Sequence, residues 1–389
     1  MAAAKSQTEL FEDPADPPGY QGCLSAIDHF GFRTARDWLS DQFFPGFASR
    51  LTRARYFYLV PWLLQGLERR KFSGRRFLEE LRRCEVQLIH DLVTANPDAE
   101  GIIGREARGQ LRVMPSALYW RGLRTLGICH FQGSLEDFAQ RLRRQSETSS
   151  LPLFVEEEPL LYGAANLLWC PGLPPAPSDF PRSPALMLSP IEAADLAERI
   201  QTQLPYSLAA VLLRSTVVLR ADKLWSPSIL NLLDERLQGL VRAAGVLSHC
   251  RRGCALLAAV HGPVSTQTLL EELSQSLEKW QHQAAVEMPE QPGDGILGGL
   301  LKSAGVPVAQ RSVLETWFAC LSAIAKGETC WKTVDVGRLF QHVSQAAASL
   351  PVRTRVSGNP GRDDLGDYRW HSVRGILNEI IEVRSSPVL

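Results

Sequence analysis

The chain has 389 residues, 45% of them apolar and 22% charged, with 42 Lys and Arg set against 42 Asp and Glu. This excludes a disordered chain and a disulfide-stapled miniprotein, and predicts two domains whose cores need no disulfide or metal to hold them. Zero net charge hides an uneven distribution: residues 31–145 carry twenty Arg and Lys against twelve Asp and Glu, a surplus suited to a polyanion such as nucleic acid.

Residues 1–20, with Pro14, Pro17 and Pro18 among acids, predict a flexible acidic tail. A basic helical N-terminal domain is expected over 21–168, with helical patterning from about Thr34. Leu51, Arg55, Tyr58, Leu59 and Trp62 recur at helical spacing, while Phe57, Val60 and Leu64 cover the other side, so this helix is expected to be buried nearly all round. Pro61 is expected to kink or divide it. A second helix follows from about Arg75 to Val93.

Gly101–Ile128 reads as helix, turn, helix. Ile102 to Leu111 forms the first piece and Pro115 breaks it; Ser116 is the expected N-cap of a second helix that closes on Gly127 in the left-handed position. The pair is compatible with a winged-helix or helix-turn-helix unit, although short helical pairs are common and an ordinary pair is the plainer reading. Six prolines between Cys170 and Pro184 predict a linker over 169–185. Ser189-Pro190-Ile191-Glu192 is a capping box that opens a helical C-terminal domain over 186–389. Helices are expected at Pro190–Gln203, Ser207–Arg220, Ser228–Cys254, Thr266–Gln281, Ser312–Ala325 and Val334–Ser349, with a loop over 288–299. No alternating run is long enough to predict a sheet. The fold class is mainly α.

Chemistry is sparse. Cys250 and Cys254 sit four apart beside His249, but the further ligands a zinc site needs are missing nearby, and two buried thiols on one helical face are the plainer reading. An acid two residues before a lysine, which restriction-type nucleases use, is absent from the lysines beyond Lys5. Gly293–Gly298 satisfies GxGxxG without a preceding strand, and Asp363, Asp364 and Asp367 read as a solvated loop. No catalytic residue, metal or cofactor is expected. Without a signal peptide or a long apolar run, the chain is expected in the cytoplasm and away from membranes.

Basic residues carry the positive signal. Arg69, Arg70, Arg75 and Arg76 fall within eight residues, and Arg105, Arg108, Arg121 and Arg124 line the helical pair with Ser116 and Tyr119 among them. These ten are the candidate nucleic-acid contacts, because guanidinium groups track phosphates. Arg53 and Arg55, set in an apolar helix, read instead as buried partners of carboxylates such as Glu79 or Glu106.

Four blocks occur in order: Phe44-Pro45-Gly46 with Thr52–Phe57 and Val60-Pro61-Trp62; Gly101–Glu106 with Pro115–Trp120 and Leu126-Gly127-Ile128; Phe180-Pro181 with Glu192-Ala193; and Tyr368-Arg369-Trp370. Together they resemble an uncharacterised bacterial family known only as a domain of unknown function. The resemblance implies a place in defence islands beside helicase-like and phospholipase D-like genes, and hence a part in anti-phage defence. The expected function is a non-enzymatic DNA-binding or adaptor subunit working with such helicase or nuclease partners. The alternatives are a divergent metal-dependent nuclease and a pure scaffold docking a partner on the last helix through Trp370, Val373, Ile376, Leu377 and Ile380.

Overall fold

A computed structural model describes residues 20–148, 168–182, 184–262, 267–287, 296–349 and 367–386. Of the tail expected over 1–20, residues 1–19 lie outside them, as do Gly293 to Gly295, Asp363 and Asp364, while Tyr20 begins a helix. The protein is mainly helical, and its described residues contain no strand beyond the isolated bridge between Cys129 and Trp169. The chain divides into two compact units, residues 1–39 with 238–367 and residues 40–237 with 368–389. The proline-rich stretch lies inside the second unit, where Trp62 Nε1 donates to the Pro174 carbonyl at 2.9 Å.

In the first unit, α1 (Tyr20–Ile27) runs through a π-helical turn (Asp28–Phe32) into α2 (Arg33–Phe43), whose residues from Ser40 on belong to the second unit. Gly31 interrupts the turn at φ +106°, where a Cβ would meet Val306 at 2.8 Å. Asp28 in this turn receives Arg251 in two hydrogen bonds of 2.7 Å, and the Arg251 side chain is only 4% exposed.

The second unit is built around α3 (Tyr56–Arg69). From Tyr56 to Leu64 every side chain of this helix is buried. Pro61 does not divide it: one missing N–H inside a densely packed helix costs less than exposing these aromatics would. Around it pack α4 (Gly74–Ala95) and α5 (Pro115–Thr125), and α6 (Leu135–Thr148) lies on α4. After α7 (Pro190–Gln203) and α8 (Leu208–Ser215), a short turn α9 (Pro227–Leu230) leads to α10 (Glu235–Val260), which carries the chain into the first unit. There α11 (Gln267–Glu287), α12 (Ile296–Ser303), α13 (Val308–Ala325) and α14 (Val334–Ser349) complete the core, with α11 and α12 on α13 and α1 on α14. The last helix, α15 (Trp370–Ser385), returns to the second unit against α7 and α8.

Local signals set several ends as expected. Ser189 Oγ accepts from Glu192 N while Glu192 Oε2 accepts from Ser189 N at 2.8 Å, so α7 opens on the capping box. Gly127 takes φ +64° and Ile128 N bonds to Leu123 O, closing α5 with a Schellman turn. Elsewhere the chain departs from the expected pattern. Ile102–Leu111 is not a helix: Gly101 and Gly104 hold φ of +81° and +79°, and only a 3₁₀ turn, Arg108–Gln110, forms. No helix-turn-helix pair therefore exists here. The helix expected at Ser228–Cys254 is interrupted because Asp234 accepts from Leu237 N at 2.8 Å and starts α10 afresh. α8 stops at Ser215, since Asn378 pairs with both the N–H and the carbonyl of Leu219 (2.8 and 2.9 Å). Residues 296–299, expected in a loop, open α12.

On α15, Trp370, Val373, Ile376, Leu377 and Ile380 are all at most 1% exposed and belong to the unit's own core. The face expected to dock a partner is thus covered by α7 and α8 of the same unit.

Candidate nucleic-acid interface

Arg69, Arg70, Lys71, Arg75 and Arg76 meet at the corner where α3 turns into α4, with no acid between them in sequence. The corner is a Schellman turn: Phe72 N bonds to Leu67 O at 3.2 Å and Lys71 N to Glu68 O at 2.8 Å. Lys71 occupies the left-handed position at φ +58°, where glycine is usual. Ser73 follows in extended conformation and opens α4 without a side-chain cap. The N-terminal end of α4, with its partial positive charge, thus lies within the basic cluster.

Arg70 is held by Nε to the Gly66 carbonyl at 3.2 Å, and its guanidinium lies 6.0 Å from the Phe72 ring centre. Arg76 lies over the same ring at 5.1 Å. Arg75 pairs with Glu79 at 2.8 Å, but both side chains are well exposed and the pair adds little. Glu68, the acid preceding the cluster, is drawn off by Trp169 Nε1 at 2.9 Å. From α6, the stem of Arg143 lies against Gly74, where a Cβ would stand 3.3 Å from its Cδ.

The other predicted contacts lie differently. Arg105 directs its guanidinium to the carbonyls of Asn96, Pro97 and Ala99, bracing the loop before it. Arg108 is exposed on the 3₁₀ turn, which Arg82 holds through the carbonyls of Gly109 and Leu111. Arg121 is exposed but paired with Asp41 at 2.9 Å, and Asp41 also receives Arg369 at 2.7 Å. Burial alone would raise the Asp41 carboxyl, yet hydrogen bonds from these two guanidinium groups hold it below the usual carboxylate range. Arg124 is half-buried, its Nε without a hydrogen-bond partner.

Ser116 and Tyr119 are buried and out of reach of a phosphate. The Tyr119 hydroxyl donates to Arg53 O at 2.7 Å and accepts from the amides of Thr52 and Arg53. It thereby locks the loop that enters α3. Ser116 N and Oγ both donate to Glu85 of α4, at 2.7 and 3.1 Å. Glu85, not Ser116, caps α5, whose first residue is Pro115. Arg53 and Arg55 pair with Glu379 and Glu192, from distant helices, rather than with Glu79 or Glu106. Sequence reasoning missed Phe72 and Arg143; the adjacency of Phe72 to Lys71 in a basic run was the only available signal.

Burial pushes the Glu85 carboxyl up to about 7 against the lowering pull of the Ser116 hydrogen bonds. Its ordinary value is 4.5. Between these pH values the folded chain keeps a proton that the unfolded chain releases. The contribution is therefore fully present below 4.5 and is lost as pH rises through 7. The loss amounts to about 3 kcal/mol at about 1.4 kcal/mol per unit. Glu85→Gln, which can still accept from Ser116 N, should flatten that part of the pH profile in urea unfolding. An unchanged slope in the variant would contradict this assignment.

No curated protein and no solved structure matches the chain. A family model does, over a span that contains the α3–α4 corner and the first three of the four blocks noted above, with Tyr368-Arg369-Trp370 beyond it. The chain belongs to a family of unknown function, DUF6361, whose model matches residues 21–265.

Proposed function

We propose that the protein is a non-enzymatic DNA-binding or adaptor subunit whose α3–α4 corner grips backbone phosphates. In the defence setting that the family resemblance implies, it would hold DNA for a separate helicase or nuclease. The observation that carries this reading is the corner itself: five basic residues within eight, one of them in an exposed ion pair, and two guanidinium groups kept in place over Phe72. Such a surface binds through charge and counterion release and needs no groove-reading helix.

The nuclease alternative draws less support. Three buried or largely buried carboxylates are committed to structure: Glu85 caps α5, Glu192 holds Arg55 and caps α7, and Glu379 holds Arg53 and the Ala54 amide. Among the described residues no group of three His, Cys, Asp or Glu is placed to hold a metal.

The test is a salt series with a labelled duplex, run with and without Mg²⁺. About four phosphate contacts predict a log–log slope of roughly −3 to −4, with the DNA left intact. Absence of binding at low salt, to this duplex and to either of its single strands, would defeat the reading, and Mg²⁺-dependent cutting would put the nuclease in its place.

A further inference from the structure

Resting on the DNA-binding reading, we infer that the α3–α4 corner prefers single-stranded DNA and that Phe72 is its base-stacking residue. Phe72 is only partly buried at the head of the turn, and Arg70 and Arg76 lie over its ring from either side of it in sequence. An exposed cation–π contact is weaker than the stacking of a base on an aromatic ring. A base that reaches Phe72 can therefore displace a guanidinium. The displaced Arg76 then stands beside the phosphate of the same nucleotide, and Arg70 stays tethered to the Gly66 carbonyl.

Neighbouring phosphates fall to Arg69 and Lys71, which leave the same turn and are both exposed. Aromatic ring, flanking guanidinium groups and basic track form the combination that single strands use. A duplex, whose bases are already stacked on one another, can engage the charges and not the ring. The corner thus distinguishes strand from duplex without reading sequence.

The experiment uses the full chain and fluorescence anisotropy. The probes are a labelled oligothymidylate and a labelled duplex of equal length, with wild type, Phe72→Leu, Phe72→Trp and Arg69→Ala/Lys71→Ala. The wild type should bind the strand more tightly than the duplex. Phe72→Leu should lose about tenfold on the strand while duplex binding stays within about twofold, and Phe72→Trp should retain the preference. Thermal unfolding confirms that each variant is folded. If Phe72→Leu fails that check, the wild-type ratio alone decides: a duplex bound as tightly as the strand overturns the inference. Equal losses on both probes, or none, overturn it as well and leave the electrostatic reading standing. If neither probe binds, or Arg69→Ala/Lys71→Ala binds both like wild type, the DNA-binding reading falls and the inference with it.

Discussion

Glu192→Ala should be the most destabilising single carboxylate change in the second unit, at about 3–5 kcal/mol. The side chains of Arg55 and Glu192 are only 8% and 5% exposed, and their closest approach is 3.1 Å. Arg55 also donates to the Met187 carbonyl, while its Nε has no hydrogen-bond partner. Removing Glu192 leaves that guanidinium buried without a counter-charge and opens the α7 cap in the same step. Arg55→Met/Glu192→Gln removes both charges, keeps an acceptor for Ser189 N, and should recover most of the loss. Native-state hydrogen exchange of the α7 amides reads the effect on this element. Wild-type protection in Glu192→Ala would contradict the assignment.

Elements whose boundary signals lie within a few residues were legible in the sequence. The α7 capping box, the Gly127 closure of α5 and the full span of α14 emerge from neighbouring residues alone. Several of the misread segments are settled by partners outside the segment itself, while the break at Asp234 is local. Asn378 holds the backbone of Leu219 and so ends α8 early. Glu85 takes over the cap that Ser116 was expected to supply. Arg105 turns onto the carbonyls of Asn96, Pro97 and Ala99, where a helix was expected.

The interface divides in the same way. A basic run is visible in any sequence, so Arg69, Arg70, Arg75 and Arg76 could be picked out as phosphate-binding candidates. Which arginines are tied up in structure could not be seen. Arg53 and Arg105 lie in equally basic surroundings, yet one is paired with Glu379 from the other end of the chain and the other with three loop carbonyls. Tyr119, an aromatic among arginines, is a core hydroxyl that locks a loop; Phe72, read as neither core nor contact, lies beneath two guanidinium groups.

The most direct test of the central claim removes the charge of the corner and leaves the core intact. Arg69→Ala/Lys71→Ala/Arg76→Ala alters no buried ion pair, so thermal stability should stay close to that of wild type. DNA affinity should fall more than about a hundredfold at low salt, and the salt slope should become shallower by about 0.9 for each phosphate no longer neutralised. Arg121→Ala, whose guanidinium is already paired with Asp41, should leave the slope nearly unchanged. A folded triple variant that binds DNA with wild-type affinity and slope would contradict the account and move any DNA-binding surface away from the α3–α4 corner.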